Sequence, residues 1–334
     1  MPEHQPKPEF ESALYGAAGV AHNAALTRLL LELGADPNDG EVVYHSPEET
    51  DNAVLKLLVE TGRLTPDSLV TMLVRKADWH DYDGIKFLLE HGADPNHITH
   101  WGFTGLHQAL RRDNALPNIE AMLDHGADAL IENRYDGKSS ISLAARRGRA
   151  DVLELFGRRG ISLHLADLDR LIAACACNDV TTIQNIRLRA PGLLEQLRSE
   201  GGQLLAEFAG NGNTNGVRQL IELGVQVQVL YKKGDGYFEI ARDSTALHVA
   251  AWRARHETVK FLIERGANIE VLDAKGRTPL MLAVRACVDS HWQARRSPES
   301  VRAFLQAGAS KSGVHFPTGY AAIDDLLQTR GTES

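Results

Sequence analysis

Residues 245–268 read TALHVAAWRARHETVKFLIERGAN, and the way that stretch begins and ends decides the fold. Thr245 has a side-chain oxygen able to accept the unpaired amides of a first helical turn, and Leu247 follows it as the first aliphatic side chain. At the other end the apolar run of Phe261, Leu262 and Ile263 gives way to Glu264, Arg265 and then Gly266. A glycine just past the last apolar residue can take the left-handed conformation that closes a helix. The stretch therefore reads as a cap, a short helix, a tight turn, a second helix and a glycine stop, with an exposed turn to follow.

The same ending recurs along the chain. Apolar runs stop on Gly34, Gly92, Gly126, Gly224, Gly266 and Gly308, with weaker versions at Gly62 and Gly160. The intervals are 28, 30, 34, 34, 64, 42 and 42 residues, and the 64 reads as two units whose shared stop is blurred at Ala190, Pro191 and Gly192. Matching starts pair a capping residue with an aliphatic: Ser12 with Leu14, Asp67 with Leu69, Thr104 with Leu106, and Ser139 with Ile141. They continue at Asp169 with Leu171, Thr245 with Leu247, Thr278 with Leu280 and, less perfectly, Thr318 with Tyr320. Pro279 stands at a first helical position, where its missing N–H costs nothing.

These residues resemble the ankyrin-repeat family, whose pattern is TPLHxA followed by LLxxGA. TGLHQA at 104–109, TALHVA at 245–250 and TPLMLA at 278–283 carry the likeness best. The segment VRACVDSHWQARRSPESV, at 284–301, is similar to stretches in ankyrin proteins of bacterial type. The resemblance implies an all-α solenoid of helix-turn-helix units with projecting turns, or fingers. Division of 334 residues by a unit of about 33 gives about ten, which the caps and stops resolve into about nine repeats plus a C-terminal capping helix. One helix pair cannot bury its apolar face alone, so neighbouring units must stack to build a continuous core. A single solenoid is expected over 10–328, between a polar tail at 1–9 and another at 329–334.

Composition agrees with many small helices: 43% hydrophobic, 24% charged, 6% aromatic, with 29 glycines. No stretch approaches the roughly 20 apolar residues of a membrane span, and Met1 to Pro8 lacks the apolar core of a secretory signal. Cys175, Cys177 and Cys287 are too few and too scattered for a disulfide framework, which favours a reducing, cytoplasmic setting. A net charge of −8 argues against general nucleic-acid binding. Much of that charge is local, since Asp36 to Glu60 holds seven acidic residues against Lys56.

Departures from the pattern mark candidate adaptations. The second unit, at 39–62, begins with GEVVYHSPEETD in place of a TPLH-like start, and the sixth, at 168–192, loses its glycine stop. The third carries ADWHDYD (77–83) and the ninth CVDSHWQARRSP (287–298) between first and second helix. The eighth has an extended finger, YKKGDGYFEIARD, at 231–243.

Chemical motifs are sparse. GNGNTNG at 210–216 follows no strand and precedes no Walker lysine, so Gly212 reads as a turn between helices. Cys175 and Cys177, one residue apart, have no second pair to complete a zinc site and read as buried helix residues. His80, His97 and His100 lie in turns without a matched third group, while the resemblance gives His107 and His248 a structural hydrogen-bonding role. No nucleophile is paired with a base, so neither an enzyme nor a cofactor or metal is expected.

In the ankyrin family, variable side chains sit at the finger tips and at the end of the first helix, pointing into the concave groove. Those positions here hold Arg75, Arg111, Arg112, Arg146, Arg147, Trp252, Arg253 and Arg285 on helices. The fingers add Trp101, Phe103, Arg134, Tyr135, Tyr231, Lys232 and Tyr237. Arginine and aromatic residues dominate interface hot spots. The implied function is a monomeric, non-catalytic scaffold or adaptor that binds another protein, through an acidic segment, in this basic and aromatic groove. The alternative is a sensor of a small anionic ligand or nucleotide, with Trp252, Tyr231 and Lys232 as the contacts.

Overall fold

The computed structural model describes residues 11–328; the tails expected at 1–9 and 329–334 lie outside the described residues. Among the described residues the chain is helical, apart from isolated bridges and a short antiparallel pairing of Leu230–Tyr231 with Ser244–Thr245. It divides into two compact units between Leu143 and Ala144, inside the helix Ser140–Arg146.

In the first unit, the helix Ala13–Tyr15 and its π-helical extension Gly16–Val20 pair with Ala24–Glu32. Gly40–His45 pairs with Ala53–Glu60, Pro66–Asp78 with Tyr82–Glu90, and Gly105–Arg111 with Leu116–Asp124. The first helix of each pair stacks on the first helix of the next, as Pro66–Asp78 does between Gly40–His45 and Gly105–Arg111. Leu73, Leu88, Leu106 and Ile119 are fully buried in the resulting core.

The second unit repeats the scheme with Ala150–Arg158, then Asp167–Ala176 with Val180–Arg189, and Gly201–Asn211 with Thr214–Glu222. Ala246–Trp252 with His256–Glu264, Pro279–Val288 with Glu299–Gln306, and a closing helix Ala321–Gln328 complete it. Phe156, Phe208 and Phe304 are fully buried here, each contributing about 1.5–3 kcal/mol.

Caps and stops account for the boundaries. Thr104, Thr245 and Thr278 each accept the amide three residues on, closing capping boxes with His107, His248 and Met281. All eight glycine stops take positive φ, from +65° at Gly62 to +95° at Gly224. The turn between the helices of a pair is left-handed too, at His80, Asp113, Gly148, Asn178, Gly212 and Ala254. Only Gly212 of these is expected from the sequence.

Five expectations need correction. The cap of the third unit is Thr65, with Pro66 at the first helical position, and Asp67 lies in the first turn. Asp169 is also inside its helix, which starts at Asp167 after Ala166. ADWHDYD is no insertion: the helix runs through Asp78, and Trp79, His80 and Asp81 make an ordinary turn before Tyr82. The unit is long because its first helix has 13 residues against 7 at Gly105–Arg111. Finally, Cys177 is exposed just beyond its helix, while Cys175 and Cys287 are buried. The blurred stop at 190–192 is the start of an additional helix, Gly192–Ser199.

Candidate functional site

In the first unit, a groove of about 590 Å³ opens over the ends of the first helices. Tyr44 closes one side; it lies in the helix that replaces the TPLH-like start of the second unit. Arg75 stacks over the Tyr44 ring at 4.0 Å, and Arg111 stacks over Phe103 at 4.0 Å. Trp101 lies 6.0 Å from Tyr44, and Tyr135 lies 6.3 Å from Phe103, so each arginine-backed ring has an aromatic neighbour on a finger. A guanidinium stacked by its face keeps its in-plane N–H donors for polar partners.

Those donors are partly engaged. Arg75 reaches Glu48 and Asp78 at 2.6 Å each, and Arg112 reaches the other oxygen of Asp78 at 2.6 Å. Gln108 donates to Asp78 as well, at 2.5 Å, and accepts from Arg111 at 3.2 Å. The charged lining thus comprises Arg75, Arg111 and Arg112 against Asp78 and Asp136. Trp101 is 38% exposed and Tyr135 82% exposed, and Arg134 is exposed beside them. Sequence reasoning missed Tyr44, Asp78 and Gln108; the signal for Asp78 was its place three residues after Arg75 on one helix face.

The second unit treats its expected residues differently. Arg146 is ion-paired with Asp169 at 2.6 Å and with Glu200, and Arg147 with Glu207 at 3.2 Å. Trp252 and Arg253, expected to face a partner, are only 2% and 1% exposed. What covers them is the chain's own finger. Trp252 Nε1 donates to the Phe238 carbonyl at 2.6 Å, and Arg253 stacks over the Phe238 ring at 4.4 Å. Tyr237 lies edge-on to Phe238 at 4.8 Å, and Arg285 holds Glu239 at 2.7 Å. The segment between Val288 and Glu299 folds onto the same cluster, with Trp292 stacked on Phe238 at 6.1 Å and Arg295 donating to the Arg253 carbonyl at 3.1 Å.

Tyr231 is 6% exposed, its hydroxyl pushed above the ordinary value by burial, and Lys232 pairs with Asp243 at 3.0 Å. The aromatic pair on which a small-ligand sensor would rely is therefore interior. His97 pairs with Asp67 at 2.6 Å and His100 stacks on Trp101 at 3.8 Å. Among the described residues no group of three His, Cys, Asp or Glu side chains is placed to hold a metal, and no helix is long and apolar enough to cross a membrane.

Stacked helix pairs with capped starts, left-handed glycine stops and side chains gathered at the ends of first helices define a repeat protein of the interaction type. The family profile described as "Ankyrin repeats (3 copies)" matches residues 72–167, 171–273 and 205–313. The chain belongs to the ankyrin-repeat family. An L-asparaginase of Dirofilaria immitis is 25% identical over 166 residues, 48% of this chain and 26% of that protein. Rabankyrin-5 of Homo sapiens is 45% identical over 51 residues, 15% of this chain and 4% of its own length. A putative ankyrin repeat protein of Rickettsia bellii is 30% identical over 136 residues, 38% of this chain and 54% of that one. The chain thus spans at most about half the length of these curated relatives. The human ASB11 ankyrin repeat domain aligns at 21% identity over 89% of this chain and 98% of that one, with a TM-score of 0.29. Ankyrin repeats are generally protein-interaction modules and typically non-catalytic.

Proposed function

We propose that this chain is a non-catalytic scaffold or adaptor whose first-unit groove takes an acidic segment of a partner protein. The observation that carries the reading is the exposure of Tyr135 (82%) and Trp101 (38%) beside a groove in which arginines outnumber aspartates by three to two. Large aromatic side chains exposed at a groove rim supply contact area at low entropic cost when a partner arrives. The stacked arginines add donors suited to carboxylates. Three free cysteines fit a reducing, cytoplasmic setting.

The test uses displayed random peptides selected on the immobilised chain. Selected sequences should be enriched in Asp and Glu, and their binding should fall at least about tenfold with Tyr135→Ala or Trp101→Ala, a loss of about 1.4 kcal/mol each. Arg111→Glu should weaken acidic peptides more than neutral ones. Arg112, Arg146 and Arg147 are poor choices for charge reversal, because each holds a carboxylate of its own chain. Selection of neutral or basic peptides, or binding indifferent to all three variants, would overturn the reading.

A further inference from the structure

We infer that the finger Tyr231–Asp243 is an internal stand-in for a second partner segment, and that the groove it fills binds a peptide in which an aromatic residue directly precedes a carboxylate. The receiving side chains belong to the repeat framework, apart from Trp292 of the segment between Val288 and Glu299, which stacks on Phe238 at 6.1 Å. Trp252 and Arg253 end one first helix, Arg285 belongs to the next, and Arg147 follows Ser140–Arg146. These are the positions at which the family presents variable groups to partners. The occupying groups, Phe238 and Glu239, belong to the one lengthened finger.

Phe238 is buried, and the contacts it makes there are cationic and polar as well as apolar. The Phe238 ring lies under cations, 4.4 Å from the Arg253 guanidinium and 5.5 Å from that of Arg147. Its carbonyl accepts from Trp252 Nε1, so the groove reads main chain as well as side chain. The next residue carries the charge: Glu239 meets Arg285 at 2.7 Å, and Arg285 is itself stacked over Trp252 at 4.6 Å. Trp252 and three arginines thus read an aromatic–acidic dipeptide: Arg253 and Arg147 its ring, Arg285 its carboxylate.

The tether is strained where it delivers those groups. Glu239 and Asp243 have φ of +55° and +60°, a left-handed backbone that residues with a Cβ adopt at a cost. Gly234 is forced, since a Cβ there would lie 2.5 Å from the Ile240 carbonyl oxygen. An untethered peptide presenting the same two side chains need not adopt that loop, and so can compete with it. These residues are distinct from Trp101, Tyr135 and their groove, so this inference stands or falls separately from the reading above.

The experiment titrates a labelled hexapeptide GYFEIA, the sequence of residues 236–241, against the full chain by fluorescence anisotropy. Phe238→Ala removes the ring that fills the aromatic part of the groove and should raise affinity for the peptide at least about tenfold over the wild type, whose groove is occupied. Adding Arg285→Glu to that variant should abolish the gain, and the peptide GYAEIA should not bind. A second chain, with 232–242 replaced by a short glycine-rich turn, gives the same readout should Phe238→Ala disturb the unit; circular dichroism checks folding of both. Folded variants that bind GYFEIA no better than GYAEIA would overturn the inference. So would failure of both chains to fold, which would make the finger part of the framework.

Discussion

His107 joins its own helix start to the finger that follows it: Nδ1 lies 2.7 Å from Thr104 Oγ1, and Nε2 lies 3.1 Å from the Lys138 carbonyl. His248 repeats the arrangement with Thr245 at 2.9 Å and the Arg277 carbonyl at 3.0 Å. Both rings are fully buried, so each satisfies polar groups away from water, beside the Asn133 and Asp273 amides that donate to the same two carbonyls. His107→Leu leaves the Lys138 carbonyl and the Thr104 hydroxyl without this partner, and should destabilise by about 1–3 kcal/mol. A fall in urea midpoint at unchanged slope checks it.

Burial also lowers the pKa of both imidazoles below the ordinary 6.5, against the opposing pull of the carbonyls they bind. The folded state therefore takes up protons less readily than the unfolded chain. Their contribution is complete above 6.5 and is lost as pH falls through that value towards the lowered folded pKa. The carboxylates held below their ordinary 3.8, Asp81, Asp136 and Asp273, add their loss at lower pH still. The double variant His107→Gln, His248→Gln should be weaker than wild type near pH 7.5 yet lose less stability between about pH 7 and 5. Parallel pH profiles for the two chains would contradict this.

Much of the repeat was legible in the sequence because caps and stops are local chemistry. A threonine oxygen or a glycine acts on the amides and carbonyls within one turn of itself, so Thr104, Thr245, Thr278 and the eight glycines could be read from spacing. Thr65 was missed although its Thr-Pro start is the same signal as Thr278-Pro279, because Asp67 offered a competing oxygen two residues on. The groove was legible only as register. Position told which side chains point inward at Trp252, Arg253 and Arg147, but not that Phe238 and Trp292, 14 residues before and 40 after Trp252, would fold over them. Occupancy of a surface by a long loop is a non-local outcome that no spacing encodes.

Lys76 tests how a buried charge is tolerated in the third unit. Its side chain has no exposure, and Nζ donates to Asp81 at 2.7 Å and to the Glu49 carbonyl at 2.5 Å. Burial lowers the lysine pKa; burial opposes ionisation of Asp81 too, but bonds from Lys76, the Gly84 amide and Asn52 hold its carboxyl below the ordinary range. Asp81→Asn keeps an oxygen for the Gly84 amide yet strands the ammonium, at about 3–5 kcal/mol. Lys76→Met leaves Asp81 with its Asn52 and Gly84 partners and should cost less. The reverse order in chemical denaturation would show that the carboxylate, not the ammonium, is the costlier group to leave alone.

The helix Val180–Arg189 buries only Ile183, whereas His256–Glu264 buries Thr258, Val259, Phe261 and Leu262. With so little apolar area removed from water, the former has little tertiary packing to hold its hydrogen bonds closed. Amides of 183–189 should exchange faster than those of 259–264 by at least about tenfold in native conditions. Equal protection across the two helices would mean that the additional helix Gly192–Ser199 supplies the missing support.

Two left-handed glycines separate conformational strain from crowding. Gly92 has φ +92° with no atom within 4 Å of an added Cβ, so Gly92→Ala should cost about 1–2 kcal/mol, the price of the backbone alone. Gly148 has φ +68°, but a Cβ there would meet Phe208 Cδ1 at 2.7 Å and its Cα at 3.1 Å. The equivalent turns elsewhere hold His80, Asp113, Asn178 and Ala254 at positive φ, so left-handed backbone does not by itself demand glycine at this place in the repeat. The Phe208 contact does. Gly148→Ala should therefore cost about 3 kcal/mol or more. Asparagine, which tolerates the left-handed region, should recover stability at position 92 but not at 148. Recovery at both positions in urea denaturation would show that the backbone of Phe208 can move aside, and that conformation, not crowding, fixes Gly148.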